Sequence, residues 1–233
     1  ATIVSVALDR LATGFAVPLA TIQWVMNGYL LAFTAAIPLT GWATDRYGAR
    51  PIWLTAVGLF TAGSLLCGLA WSAESLIVFR VLQGLGGGMV MPVGMTMVAR
   101  AAGRDRMGRA MAVVGIPMML GPILGPVVGG VLVDTVDWRW IFFVNLPVGA
   151  LCLLLSARLL RREDASHQQR LDLRGLLLLS PGLTALVYGV SLVARDGKLS
   201  AEVVAWGIGG AVLLVAFVVR ALAAAQPVVD LRP

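Results

Sequence analysis

The chain has 233 residues, of which 59% are hydrophobic and only 13% charged, and its mean hydropathy is +0.89. Soluble domains run near half apolar and a quarter charged, so this composition excludes an ordinary soluble protein and points to an all-α, polytopic membrane bundle. The formal charge of +6 does not indicate a nucleic-acid partner, because the bases, nearly all Arg, sit in short connections between apolar runs.

A helix crosses a bilayer with about 20 apolar residues, and that length divides the chain. Residues 1–8 (ATIVSVAL) read as the last turns of span one, so the chain is expected to start inside that span. A loop over 9–20 carries Asp9, Arg10, Gly14 and Pro18. Span two is predicted at 21–42, with Trp24 at interface depth. A ten-residue polar hairpin, Gly41 to Arg50, leads to span three at 51–71. Glu74 marks a turn, and span four follows at 75–99. A basic loop with Arg100, Arg104, Arg106 and Arg109 precedes span five at 110–133. Asp134 and Asp137 mark the next turn, and span six runs 139–160. A charged connection at 161–174 holds the lone His167, read as solvated. Spans seven and eight cover 175–194 and 201–225, and 226–233 is a polar tail. Cys67 and Cys152 lie inside apolar runs and read as small buried hydrophobes.

Cytoplasmic loops are enriched in Lys and Arg. One alternating set of connections holds thirteen Arg, among them Arg46, Arg50, Arg100, Arg109 and Arg174; the other holds Arg10, Arg139, Arg195 and Lys198. The asymmetry puts the Asp45 hairpin in the cytoplasm.

Three stretches carry specific chemistry. In the hairpin, Gly41 would let helices approach, Gly48 can take a positive φ at the turn, and Asp45 sits beside Arg46 and Arg50. In span four, Arg80 lies inside the apolar run with Gln83 nearly one turn on and Gly84, Gly86, Gly87 and Gly88 following. A cation there must snorkel to the interface or face a polar cavity. In span five, Gly121, Gly125 and Gly129 recur every fourth residue, with Gly130 adjacent and Pro122 and Pro126 removing backbone donors. That pattern makes a nearly smooth helix face suited to close packing.

The hairpin G-x-x-x-D-R-x-G-x-R resembles the loop signature of the major facilitator superfamily. R-x-x-Q-G at Arg80 to Gly84 resembles its fourth-helix signature, in which the Arg is implicated in proton coupling. G-x-x-x-G-P-x-x-G-G at Gly121 to Gly130 resembles the fifth-helix signature of its proton-exchanging exporters. Gln23-Trp24-Val25 with Tyr29, the run Trp138 to Gly149, and Val229-Asp230-Leu231 are similar to segments of its fourteen-helix drug:proton antiporters.

The resemblance implies an N-terminal six-helix bundle over 1–160, a cytoplasmic connection over 161–174, two extra helices over 175–225, and the start of a connection at 226–233 to a missing C-terminal six-helix half. It implies efflux of drugs or other small molecules across the cytoplasmic membrane, coupled to protons, by alternating access. A nutrient symporter or uniporter, or a non-transporting scaffold, is the alternative. Asn27, Tyr29, Arg80, Gln83 and Met118 are the candidates for facing the cavity, and the family's first-helix Asp would fall just before Ala1. The twelve acids present lie in loops or at span ends. With no intramembrane His, Asp or Glu cluster, no metal, cofactor or enzymatic activity is expected.

Overall fold

The structure, a computed structural model, describes residues 4, 7–160, 172–196, 198 and 200–223. Most of the expected end of span one, the connection up to residue 171 with His167, and the tail 226–233 lie outside the described residues. The described elements are helices: α1 (Leu8–Phe15), α2 (Leu19–Ile22), α3 (Trp24–Tyr47), α4 (Ala49–Gly68), α5 (Ala73–Thr135), α6 (Trp140–Phe143), α7 (Asn145–Leu159), α8 (Leu173–Asp196) and α9 (Ala201–Ala223). Among the described residues, seven helical stretches are long and apolar enough to cross a membrane.

The expected loop over 9–20 is largely helical instead. Leu8, Leu11, Ala12 and Phe15 follow the i, i+3, i+4, i+7 spacing of a one-sided apolar helix, and Leu11 is fully buried. Ala16 closes α1 in the left-handed region at φ 52°.

The hairpin around Asp45 is shorter than expected. Helix α3 runs through Gly41 and Asp45 to Tyr47, and Gly48 alone separates it from α4. Gly48 has φ 88° and ψ 155°, a conformation that suits glycine. Polar residues mark where the chain leaves the bilayer, but Asp, Arg and Tyr do not break a helix, and Arg46 in the last turn favours the helix dipole.

The same distinction governs α5. Its 63 residues would span about 95 Å if straight, roughly three bilayer cores. The backbone leaves the helical region at Gly103 (φ 66°, ψ 176°), which divides the run into spans Ala73–Gly103 and Arg106–Thr135. The expected basic loop over 100–109 is therefore a one-residue break between helical arms. At its other end α5 is closed by a reciprocal cap: Ser75 N–H donates to Ser72 Oγ (3.2 Å) and Ser72 N–H to Ser75 Oγ (3.0 Å).

The core gathers at the end of the bundle away from Asp45. Val4, Ala7, Leu11, Ile22, Val25, Leu76 and Phe142 form one buried cluster joining α1, α2, α3, α5 and α6. Helices α3 and α4 pack along the first arm of α5, α4 also packs on α7, and α8 packs on both α9 and α3. Ser180 Oγ of α8 donates to Ala35 O of α3 at 3.1 Å, and Tyr188 stacks on Trp24 with centroids 5.8 Å apart. The second arm of α5 stands apart: Ile116, Met119, Ile123 and Val127 are each more than half exposed.

Candidate functional site

The deepest polar cluster forms where α3, α4, α5 and α7 meet. Arg80 is only 3% exposed. Its guanidinium turns inward rather than toward the interface, so of the two alternatives snorkelling does not hold. Nε donates to Val25 O at 3.0 Å and Nη1 donates to Gln83 Oε1 at 2.5 Å. The guanidinium carbon lies 3.9 Å from the Tyr29 ring centroid and 5.9 Å from that of Phe142. A cation over an aromatic face gains more when it is removed from water. Nη2 has no partner among the described residues, and no described carboxylate forms an ion pair with Arg80.

Gln83, 1% exposed, passes the contact on. Its Nε2 donates to Ser64 Oγ of α4, and Asn145 Nδ2 at the start of α7 donates to the same oxygen at 3.3 Å. Cys67 Sγ lies 3.9 Å from Gln83 Oε1.

Glycines allow these helices to come together. A Cβ at Gly84 would collide with Tyr29 O, and one at Gly88 with Phe33 O. A Cβ at Gly63 would stand 2.7 Å from Gln83 Cα, and one at Gly87 2.8 Å from Tyr29 Oη. The glycine run after Arg80 thus brings α3 and α4 within reach of one guanidinium.

Arg80, Gln83, Gly84 and Tyr29 are brought together in one buried cluster. Asn27 is not among the bonded partners of Arg80. A cavity of about 290 Å³ lies between α3, α8 and α9, lined by Trp24, Leu31, Thr184, Tyr188 and Trp206, and Asn27 does not line it. Met118 is 47% exposed on the second arm of α5, away from the cluster. On that arm Gly129 is buried and Gly125 and Gly130 are half-buried, while Gly121 and Pro126 are exposed. A Cβ at Gly121 meets no described atom within 4 Å, so the smooth face is open at its Gly121 end and becomes covered toward Gly129.

In the Asp45 region Gly41 also faces open space, so the close helix approach expected there does not occur. Arg100 Nη2 stands 4.0 Å from Asp45 Oδ1, and Arg46 is exposed. Arg50 Nη2 donates to Ala157 O at 2.7 Å, tying α4 to α7. Beside it, Trp53 Nε1 donates to Ser156 Oγ at 2.9 Å. Arg50, Trp53, Met91, Met95 and Arg100 line an apolar groove of about 550 Å³. None of Asn27, Tyr29, Arg80, Gln83 and Met118 lines it.

Ser64, Phe142 and the bonding role of Asn145 were not selected from sequence. Ser64 and Cys67 lie three residues apart on one face of α4, with Gly63 adjacent. That polar, small-residue face was the available signal. No group of His, Cys, Asp or Glu among the described residues is arranged to hold a metal ion.

The sequence profile of the Major Facilitator Superfamily matches residues 1–231. The chain belongs to the major facilitator superfamily. Among relatives within and around this superfamily, it is 46% identical over 233 residues to a multidrug resistance protein B homolog of Mycobacterium tuberculosis, covering 99% of this chain and 43% of that protein. It is 33% identical over 231 residues to the uncharacterized MFS-type transporter YhcA of Bacillus subtilis, again covering 99% of this chain and 43% of that protein. A putative multidrug resistance protein MdtD of Klebsiella pneumoniae is 40% identical over 203 residues, which is 84% of this chain and 41% of that protein. The chain therefore spans less than half the length of these relatives. Superfamily membership and the seven spanning stretches make it part of a multi-pass membrane protein.

Proposed function

We propose that this chain is the N-terminal portion of an exporter that moves drugs or other small molecules out across the cell membrane in exchange for protons. Residues 1–160 make the six-helix bundle, 161–174 the cytoplasmic connection, 175–225 two additional spans, and 226–233 leads to a second six-helix half. Substrate binds between the halves near mid-membrane, and the halves rock around it. The names of the relatives support the export of drugs. The Asp45, Arg46 and Arg50 hairpin serves as the cytoplasmic gate, and the Gly121–Gly130 stretch as the antiporter helix.

The observation that carries the reading is Arg80: a cation almost wholly removed from water, held by neutral partners, with Nη2 unpaired among the described residues. An isolated charge inside a span costs several kcal/mol and persists where it does work. A carboxylate brought beside it has its pKa lowered, and separating the two raises it again. That alternation loads and releases a proton as access changes. In the full-length protein, Arg80→Lys is expected to keep partial efflux under an imposed pH gradient and Arg80→Ala to lose it at equal protein level. Lys keeps the charge but not the planar fork of donors. Full pH-driven efflux by the alanine variant would remove Arg80 from the coupling mechanism.

A further inference from the structure

We infer that Ser64 and Asn145 are positioning residues for Arg80, acting through the side-chain amide of Gln83. The inference rests on the proton-coupled reading above and assigns it two further residues, on helices other than the one that carries Arg80.

The argument is one of donors and acceptors. A guanidinium only donates, so the Gln83 atom 2.5 Å from Arg80 Nη1 must be Oε1. That choice sends Nε2 the other way, toward Ser64 Oγ, which must accept. Asn145 Nδ2 donates to the same oxygen, so both acceptor positions of the Ser64 hydroxyl are filled. The amide is thereby fixed at both ends: Arg80 holds its oxygen, and Ser64, itself held by Asn145, takes its nitrogen. Packing closes the remaining freedom, since Ser64 is 0% exposed and Gly63 lets Gln83 lie directly against α4.

The consequence falls on Arg80. Of its contacts, Val25 O and the Tyr29 ring come from α3. Gln83 connects it to α4 and α7. A buried donor left without its acceptor costs more than the hydrogen bond itself contributed. Removing Ser64 Oγ strands two donors, on Gln83 and Asn145. The amide then turns to find other partners and takes Oε1 from Arg80. A guanidinium that has lost this partner is no longer held toward the proton-carrying carboxylate and draws away from it. Because a nearby cation lowers that carboxylate's pKa, the effect is read as a displaced pH profile and not only as lost activity.

The test uses the full-length transporter in proteoliposomes, with ethidium as the exported probe. Efflux is followed against pH on the proton-supplying side for the parent, Arg80→Lys, Ser64→Ala, Ser64→Thr and Asn145→Ala. Ser64→Ala is expected to move the pH midpoint upward by about 0.5 unit or more, roughly threefold in proton affinity, with KM for ethidium little changed. Asn145→Ala is expected to move it the same way by less, and Ser64→Thr, which keeps the oxygen, to return it. If Arg80→Lys moves the midpoint while Ser64→Ala and Asn145→Ala leave it in place, the positioning role is overturned and proton coupling stands. If Ser64→Ala does not accumulate, an unmoved midpoint in Asn145→Ala overturns it equally. If Arg80→Lys leaves the midpoint unmoved, the coupling reading fails and this inference falls with it.

Discussion

Gly84 shows how much of the cluster depends on an absent side chain. A single methyl at this position would strike the carbonyl of Tyr29 and press on the Ala32 side chain. Backbone cannot move aside as a flexible side chain does, so α3 and α5 would have to separate where Tyr29 covers Arg80. Overpacking of this kind costs about 1–3 kcal/mol. Gly84→Ala is therefore expected to lower the melting temperature of the full-length protein in detergent and to reduce efflux. Gly209→Ala on α9 is its control: Gly209 is exposed, a Cβ there meets no described atom within 4 Å, and alanine favours a helix over glycine by up to about 1 kcal/mol. Equal thermal stability of both variants with the parent would show that the Gly84 contact is not tight. The pairing of Arg80 with Gln83 was legible in the sequence because residues three apart share a helix face. Their meeting with Ser64 and Asn145 was not, because it joins positions 19 and 62 residues from Gln83 through tertiary packing alone.

At the scale of elements, the spans were legible and the breaks between them were not. Hydropathy locates apolar runs well, but helix ends answer to backbone conformation. Both ten-residue loops read from charge became single glycines, Gly48 and Gly103, each at positive φ. The glycine stretch of span five was legible as a smooth face, while its passage from exposed at Gly121 to buried at Gly129 was not, since the residues that cover a face need not lie in the same segment. The pair α8 and α9 has a fastening that composition did not reveal. Asp172 Oδ1 accepts from Arg220 Nη2 at 2.6 Å, from Arg220 Nε at 3.2 Å and from Gly175 N–H at 3.0 Å. The Asp172 side chain is 5% exposed. Burial pushes its carboxyl pKa up, but the bonds from Arg220 and Gly175 and the charges of Arg220 and Arg174 outweigh burial and hold it below the usual range. A carboxyl with a depressed folded pKa contributes stability that is fully present above its unfolded value, about 3.9, and is lost as pH falls through the lower folded value. The distance between spin labels placed on α8 and α9 should therefore be the same at pH 5 as at pH 7, and its distribution should broaden only below about pH 4. Asp172→Asn should broaden the distribution at every pH. Broadening between pH 7 and 5 would contradict the assignment.

For the molecule as a whole, the distribution of bases predicts which ends face the cytoplasm. Tyr47, 55% exposed, closes α3 at the Arg-rich side, and Lys198, also exposed, lies between α8 and α9 on the other. With Cys67 and Cys152 replaced by Ser, a membrane-impermeant thiol reagent applied to intact cells is expected to modify Lys198→Cys and not Tyr47→Cys. The reverse pattern would invert the topology. The same scale explains why the second arm of α5 is so bare while the first is packed. Within this chain the first arm has α3 and α4 against it, whereas the second has its principal described contacts only near Gly129 and Val133. The relatives are more than twice as long, and in the reading above their further length supplies the cover.

The burial of Arg80 also bears on how the chain is made. Its carbonyl partner Val25, the ring of Tyr29 and the oxygen of Ser64 that steadies Gln83 all precede it in the sequence; Phe142 and Asn145 follow. A ribosome delivering this chain in sequence order makes α3 and α4 before Arg80. An arginine entering lipid alone at a helix centre would meet a penalty of about 2.5–3.5 kcal/mol at the translocon. Entering beside its neighbours, it meets a carbonyl and an aromatic face instead of hydrocarbon. The order of synthesis thus matches the order of need, and only the contacts that refine the position of the charge wait for the sixth span.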